Sequence, residues 1–118
     1  MSYRILFVDD EESIRDLYKV SAKMEGHHAD TAESVDQALE MIAQNPSYDI
    51  YVTDKDMPVR NGFDFIDETR DMNIPLLLIS GGLLEGDKRR LSEWDIPYLE
   101  KPTDIGLLYN TIKNLIRQ

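Results

Sequence analysis

Asp54 opens the run Asp54-Lys55-Asp56-Met57-Pro58-Val59-Arg60-Asn61-Gly62, and the mainly apolar stretch Tyr48-Asp49-Ile50-Tyr51-Val52-Thr53 leads into it. A carboxylate thus stands where a buried strand ends and a proline/glycine loop begins. Other apolar stretches also end in residues that can do chemistry. Ile5-Leu6-Phe7-Val8 ends in Asp9-Asp10, Pro75 to Ile79 ends in Ser80-Gly81, and Ile96-Pro97-Tyr98-Leu99 ends in Glu100-Lys101-Pro102. In an open parallel sheet such ends lie along one edge, where ligand sites form. Three carboxylates, a hydroxyl and a lysine on that edge describe a site for a divalent cation and a phosphoryl group.

Several carboxylates converging on one crevice repel one another, so at neutral pH either their pKa values rise or a cation joins them. Oxygen donors at strand ends, with room for water, favour Mg²⁺ or Mn²⁺ over zinc. Such a cation would screen and polarise an incoming phosphate. Asp54 is then a nucleophile towards phosphorus, with an acyl phosphate as product. Lys101 supplies a fixed positive charge that can pair with Asp54 at rest and with phosphate afterwards. Ser80 has a hydroxyl to donate to a phosphoryl oxygen, and Gly81 and Gly82 allow close backbone approach at that corner. Each piece alone has a plainer reading. A strand-end Asp is commonly a helix cap, Lys-Pro a surface loop and Ser-Gly-Gly a turn. What carries the site is that four such pieces occur in order, all at carboxyl ends.

The elements that must position these residues alternate along the chain. Strands are expected at about Tyr3–Val8, His27–Thr31, Ile50–Thr53, Leu76–Ile79 and Tyr98–Leu99. Helix one runs from near Glu12 to Glu25, with Ile14, Leu17, Tyr18 and Ser21 at helical spacing and Gly26 as its end. Helix two starts near Ser34, carries Val35, Ala38, Leu39 and Ile42 on one stripe, and stops at Asn45-Pro46. Helix three covers about Gly62 to Asp71 and buries Phe63 and Ile66. Helix four lies between Leu83 and Trp94; glycines at 81, 82 and 86 favour a late start or a mobile helix. Helix five follows Pro102-Thr103-Asp104 with the stripe Ile105, Leu108, Ile112, Leu115 and Ile116. Five β-α units call for an α/β three-layer sandwich, a parallel sheet with helices on both faces. The flavodoxin-like order 2-1-3-4-5 is the expected winding. It places the switch point between strands one and three, flanked by Asp9-Asp10 and Asp54.

At 118 residues the chain suffices for one domain, 1–118, and no composition shift or repeat divides it. The formal net charge of −10 argues against direct nucleic-acid binding, which depends on neutralising phosphates. No apolar run is long enough to span a bilayer, and Met1-Ser2-Tyr3-Arg4 lacks a signal-peptide core. Cysteine is absent, which removes disulfides, thiolate metal sites and thiol nucleophiles. The expected location is cytoplasmic. His27 and His28 are neighbours on a strand, so their side chains face opposite ways and cannot easily share a metal.

Over essentially its whole length the sequence resembles the receiver domain of two-component response regulators. The family pattern is an acidic pair after strand one, a D-x-x-M-P-x-x-x-G run after strand three, Ser/Thr after strand four, and an aromatic then Lys-Pro around strand five. This chain has Asp9-Asp10, Asp54 through Met57-Pro58 to Gly62, Ser80, Tyr98 and Lys101-Pro102. The resemblance implies that Asp54 is phosphorylated by transfer from a histidine kinase or a histidine phosphotransfer protein. It implies Mg²⁺ on Asp10 and Asp54, helped by Asp9 through water and by the backbone carbonyl of Asp56. Ser80 and Tyr98 would form the switch, and Lys101 the phosphate contact. The protein would then be a signalling phosphoacceptor that assists its own phosphorylation and dephosphorylation, not an enzyme in the ordinary sense. Its output would pass to a downstream protein or to an output domain in a longer chain.

Arg15, Lys19 and Lys23 repeat at i, i+4, i+8 on helix one and form a basic stripe on an acidic protein. The plain reading is a solvated face; the functional one is a docking surface for the phosphoryl donor. Lys88-Arg89-Arg90 reads as solvated, and Trp94 as core packing. One reading from another class is an aspartyl-phosphate hydrolase of the haloacid-dehalogenase type, whose nucleophile motif also reads Asp-x-Asp. That family places the motif on its first strand with a small hydroxyl residue after it, whereas here it ends the third strand and Met57 follows. A flavodoxin-like flavin binder lacks support, because no Ser/Thr/Gly-rich phosphate loop follows strand one.

Overall fold

The computed structural model describes residues 1–45 and 47–118. Pro46, expected to stop the second helix with Asn45, lies outside the described residues. The chain alternates β1 (Arg4–Val8), α1 (Glu12–Met24), β2 (His28–Ala32), α2 (Val35–Gln44), β3 (Ile50–Asp54), α3 (Gly62–Thr69), β4 (Leu76–Ser80), α4 (Glu85–Glu93), β5 (Tyr98–Glu100) and α5 (Ile105–Ile116). The strands form one sheet in the order β2-β1-β3-β4-β5, and each neighbouring pair is parallel. This is the expected winding.

The three inner strands explain the layers. β1, β3 and β4 are near-continuous apolar runs because both of their faces are covered. Alternation along each strand sorts the side chains. Leu6, Val8, Tyr51, Leu76 and Leu78 meet Val35, Ala38, Phe63, Ile66 and Leu91 of α2, α3 and α4. Ile5, Phe7, Ile50, Val52, Leu77 and Ile79 meet Tyr18, Ala22, Leu108, Tyr109 and Ile112 of α1 and α5. The edge strands β2 and β5 are more polar and more open.

Helix ends follow local chemistry. Gly26, at φ 82°, ends α1; its N–H reaches the Lys23 carbonyl and the His27 N–H reaches the Ala22 carbonyl. Because His27 closes that helix, β2 begins one residue later than its sequence suggests. Ser34 and Asp104 accept from the third residues of α2 and α5, and Asn61 and Asp64 cap α3 reciprocally. α3 ends two residues before the expected Asp71, since the Met72 N–H turns back to the Thr69 carbonyl and Asn73 takes φ 60°. α4 starts late, as the glycines suggest, and buries only Leu91. Trp94 packs at the edge of the α2–α4 core, edge-on to Phe63 and with the Arg70 and Arg90 guanidinium groups 4.5 Å from its ring centre. The adjacent histidines part company: His27 is buried against the rings of Tyr3 and Tyr109, and His28 faces solvent beside Asp30.

Candidate functional site

Asp9, just past β1, is fully buried. Its Oδ1 accepts the Glu11 N–H at 2.9 Å and its Oδ2 lies 3.4 Å from Lys101 Nζ. Asp10 is exposed, and its side chain has no hydrogen-bond or ion-pair partner among the described residues. Asp54 closes β3, nearly buried, with its Oδ1 3.3 Å from Lys101 Nζ. Asp9, Asp10 and Asp54 each offer one oxygen, all within 4.8 Å of one another. The switch-point crevice therefore holds three carboxylates and one ammonium. That set of hard oxygen donors with excess negative charge fits Mg²⁺ or Mn²⁺.

The electrostatics follow from this crowding. Burial pushes the Asp54 carboxyl up to about 6; the Lys101 ammonium opposes this and the Asp9 charge adds to it. Burial works against the Lys101 ammonium, yet the Asp54 and Asp9 carboxylates outweigh it and hold its pKa above the usual lysine value. Beneath the site the Tyr18 ring stacks on Phe7 at 4.1 Å. Burial first, then the Asp9 and Asp54 charges, raise its phenol, so it stays neutral.

The loop after Asp54 is built to hold that residue. Met57 packs against the α2–α4 core. The Arg60 guanidinium bridges Asp36 of α2 at 3.0 Å and Glu68 of α3 at 2.8 Å. The Gly62 N–H donates to the Lys55 carbonyl at 2.8 Å. Asp56 turns its carboxylate to solvent, outside the cluster. Lys55, which its sequence position does not mark as functional, crosses to the β4–α4 loop and reaches Asp87.

Ser80 ends β4 fully buried, with its Oγ accepting the Gly82 N–H at 3.1 Å. Its own hydroxyl proton has no acceptor among the described residues. The Lys101 N–H donates to the Ser80 carbonyl at 2.9 Å, which fixes one strand end against the other. Tyr98 of β5, in register with Leu78 of β4, is 36% exposed and so turned outward.

The basic stripe on α1 divides. Lys19 and Lys23 are exposed, but Arg15 bends inward, its Nη1 donating to the Asp9 carbonyl at 3.0 Å with Glu33 3.9 Å away. Three large apolar side chains of α1, Leu17, Val20 and Met24, are exposed instead. Beside Leu17 a groove of about 400 Å³ opens between α1 and α5, with Lys101 and Pro102 in its wall.

The family model of the response regulator receiver domain matches residues 5–113. The chain belongs to that family. Response regulator RR06 of Streptococcus pneumoniae is 32% identical over 97% of this chain, and response regulator protein PilR of Pseudomonas aeruginosa is 28% identical over 97%. This chain spans 53% of the first and 26% of the second. Among solved structures, a receiver domain from Clostridium thermocellum superposes with a TM-score of 0.89 at 28% identity, covering 98% of this chain and 94% of that one. The response regulator TrrA of Thermotoga maritima, solved in complex with Mg²⁺–BeF, superposes at 0.83 with 31% identity, covering 96% and 98%. Receiver domains are the signalling phosphoacceptors of two-component systems, and this chain is such a receiver domain. Nothing in the geometry favours the haloacid-dehalogenase alternative, since Asp56 stands apart from Asp54 and the cluster. No helix is long and apolar enough to cross a membrane among the described residues.

Proposed function

We propose that Asp54 is the phosphoacceptor of this receiver, and that Asp9, Asp10, Asp54 and the Asp56 backbone carbonyl hold a Mg²⁺ or Mn²⁺ ion. The observation that carries the reading is the Lys101 ammonium, 3.3 Å from Asp54 and 3.4 Å from Asp9 inside a carboxylate cluster. Asp10, exposed and unpaired among the described residues, serves as a direct ligand. Asp9, with both oxygens engaged by Glu11 and Lys101, acts through water. When bound, the cation would lower the charge barrier to an anionic donor and polarise its phosphoryl oxygens. Asp54 attacks phosphorus with a carboxylate oxygen; the P–N bond to a donor histidine breaks, an acyl phosphate forms, and the imidazole leaves with the bonding electrons. Lys101 is placed to move from the carboxylate to a phosphoryl oxygen. Ser80 has a free hydroxyl proton to give to another.

The donor is a histidine kinase or histidine phosphotransfer protein. The surface that suits it is the exposed apolar stripe of α1 with Lys19 and Lys23 at its margin, because this face leads to the groove beside Lys101. Ser80 and Tyr98 couple the phosphoryl group to the α4–β5 face, and the signal passes to a downstream protein or an attached output domain. Incubation with acetyl phosphate and Mg²⁺ tests the assignment by intact mass. The wild type gains one phosphate, and neither Asp54→Asn nor wild type in excess chelator does. Equal labelling of Asp54→Asn overturns it.

A further inference from the structure

Lys55 follows the phosphoacceptor directly but sends its ammonium elsewhere. The Nζ donates to the Gly82 carbonyl at 2.8 Å and to Asp87 Oδ2 at 2.9 Å, and its side chain is only 15% exposed. The same Asp87 oxygen accepts the Leu84 N–H at 2.9 Å, where α4 begins.

Beyond this pair, the start of α4 is held mainly by Leu83, which is partly buried against the α2–α4 core. The helix buries only Leu91, in its latter half, and Leu84 is exposed. Gly82 is held on both sides, its N–H by Ser80 Oγ and its carbonyl by Lys55. Yet nothing lies within 4 Å of where a Cβ on Gly82 would be, so no close approach requires glycine there.

We propose that the Lys55–Asp87 ion pair is a latch holding the β4–α4 loop and the first turn of α4 to the phosphoacceptor strand, and that phosphorylation of Asp54 releases it. The proposal rests on the reading of Asp54 given above. A phosphoryl group that draws the Ser80 hydroxyl inward pulls on the Gly82 N–H. The Gly82 carbonyl then shifts from Lys55. The added negative charge one residue away competes with Asp87 for the ammonium. The latch is thus a connection from the site to α4 that does not pass through Tyr98.

Hydrogen exchange of the α4 amides in the whole 118-residue chain tests it. In the resting protein, Lys55→Met raises α4 exchange by about fivefold or more while β1 and β3 keep wild-type rates. Asp87→Asn, which retains an acceptor for Leu84, does the same, and Lys55→Arg restores slow exchange. Wild type loaded with Mg²⁺ and beryllium fluoride reaches the rate of the unlatched variants. Wild-type α4 rates in resting Lys55→Met and Asp87→Asn overturn the latch; slow α4 exchange in loaded wild type overturns its release. Intact mass after acetyl phosphate treatment separates the two readings. A mass gain with an unresponsive α4 defeats the latch alone, whereas no mass gain defeats the assignment of Asp54 and the release with it.

Discussion

A single carbon added to Gly62 would stand 2.3 Å from the carbonyl oxygen of Asp54 and 2.9 Å from the Lys55 Cα. The loop that leaves Asp54 therefore returns to touch it at the first residue of α3. Backbone occupies that space and cannot swing aside. Gly62→Ala should destabilise the fold by about 2–3 kcal/mol, the scale of an overpacked core. Gly86→Ala is the contrasting case, because Gly86 lies in α4 with nothing within 4 Å. It should stabilise by about 0.5–1 kcal/mol through helix propensity alone. Urea unfolding of both variants measures the pair, and an unchanged midpoint for Gly62→Ala would contradict the close approach.

Val59 sits in the same loop at φ 71° and is fully exposed. A β-branched residue in the left-handed region is strained, and no packing compensates here. Val59→Gly should relieve that strain and stabilise the protein by about 0.5–1.5 kcal/mol, part of the gain being offset by the greater entropy of glycine in the unfolded chain. A thermal melt of the variant at or below the wild-type midpoint would show that the strain is not felt.

Burial holds the Asp54 carboxyl at about 6, above its ordinary 3.8. The folded protein thus binds this proton more tightly than the unfolded chain does. The stabilisation is full below pH ~4 and is lost as pH rises through ~6. At pH 7 the ionised carboxylate costs about 2–3 kcal/mol. In chelator at pH 7, Asp54→Asn should be more stable than wild type by about that amount, and the gap should close near pH 4. Mg²⁺ should narrow the gap at pH 7 by binding the carboxylate. Denaturant titrations at the two pH values decide this, and equal stabilities at pH 7 would refute it.

The strand ends were legible because each couples an apolar run to a polar residue, and a parallel sheet aligns such ends whatever the helices do. Asp9, Asp54 and Lys101 meet for that reason alone. Gly62 was visible as part of a motif, but its cause, the approach to the Asp54 carbonyl, is a fact of packing. Arg15 illustrates the limit of helical spacing. Spacing shows which residues share a face; it does not show that a long side chain in the first turn can bend back to the Asp9 carbonyl. Lys55 was illegible because its partners, Gly82 and Asp87, are distant in sequence, and no local pattern marks an ion pair across two loops.

Ser80→Ala should still accept phosphate on Asp54, since the nucleophile and Lys101 remain. It should lose much of the phosphorylation-induced change in exchange over β5 and α4. The lost hydroxyl is the group that the phosphoryl oxygen would engage, and coupling of this kind is typically about 1–3 kcal/mol. A wild-type response in Ser80→Ala would show that the hydroxyl carries no part of the signal, its pull on the Gly82 N–H included, and would leave only the competition of charges at Lys55.

Docking on α1 can be separated from chemistry by comparing a small donor with a protein donor. Val20 and Met24 are 59% and 80% exposed and touch none of the site's charged groups in the hydrogen-bond or ion-pair network. An apolar stripe left uncovered on a charged surface is the kind of patch that a partner helix buries. Val20→Asp and Met24→Asp should therefore take phosphate from acetyl phosphate at the wild-type rate, but from a phosphorylated histidine phosphotransfer protein about tenfold or more slowly, the effect of losing about 1.4 kcal/mol of contact. Arg15→Ala should slow both donors, because Arg15 holds the Asp9 carbonyl and through it the carboxylate cluster. Lys19→Ala and Lys23→Ala should lower the protein-donor rate mainly at low salt, as expected for charges at the rim of an interface. Wild-type transfer from the protein donor to both aspartate variants would remove α1 as the docking face and turn attention to the α5 side of the groove.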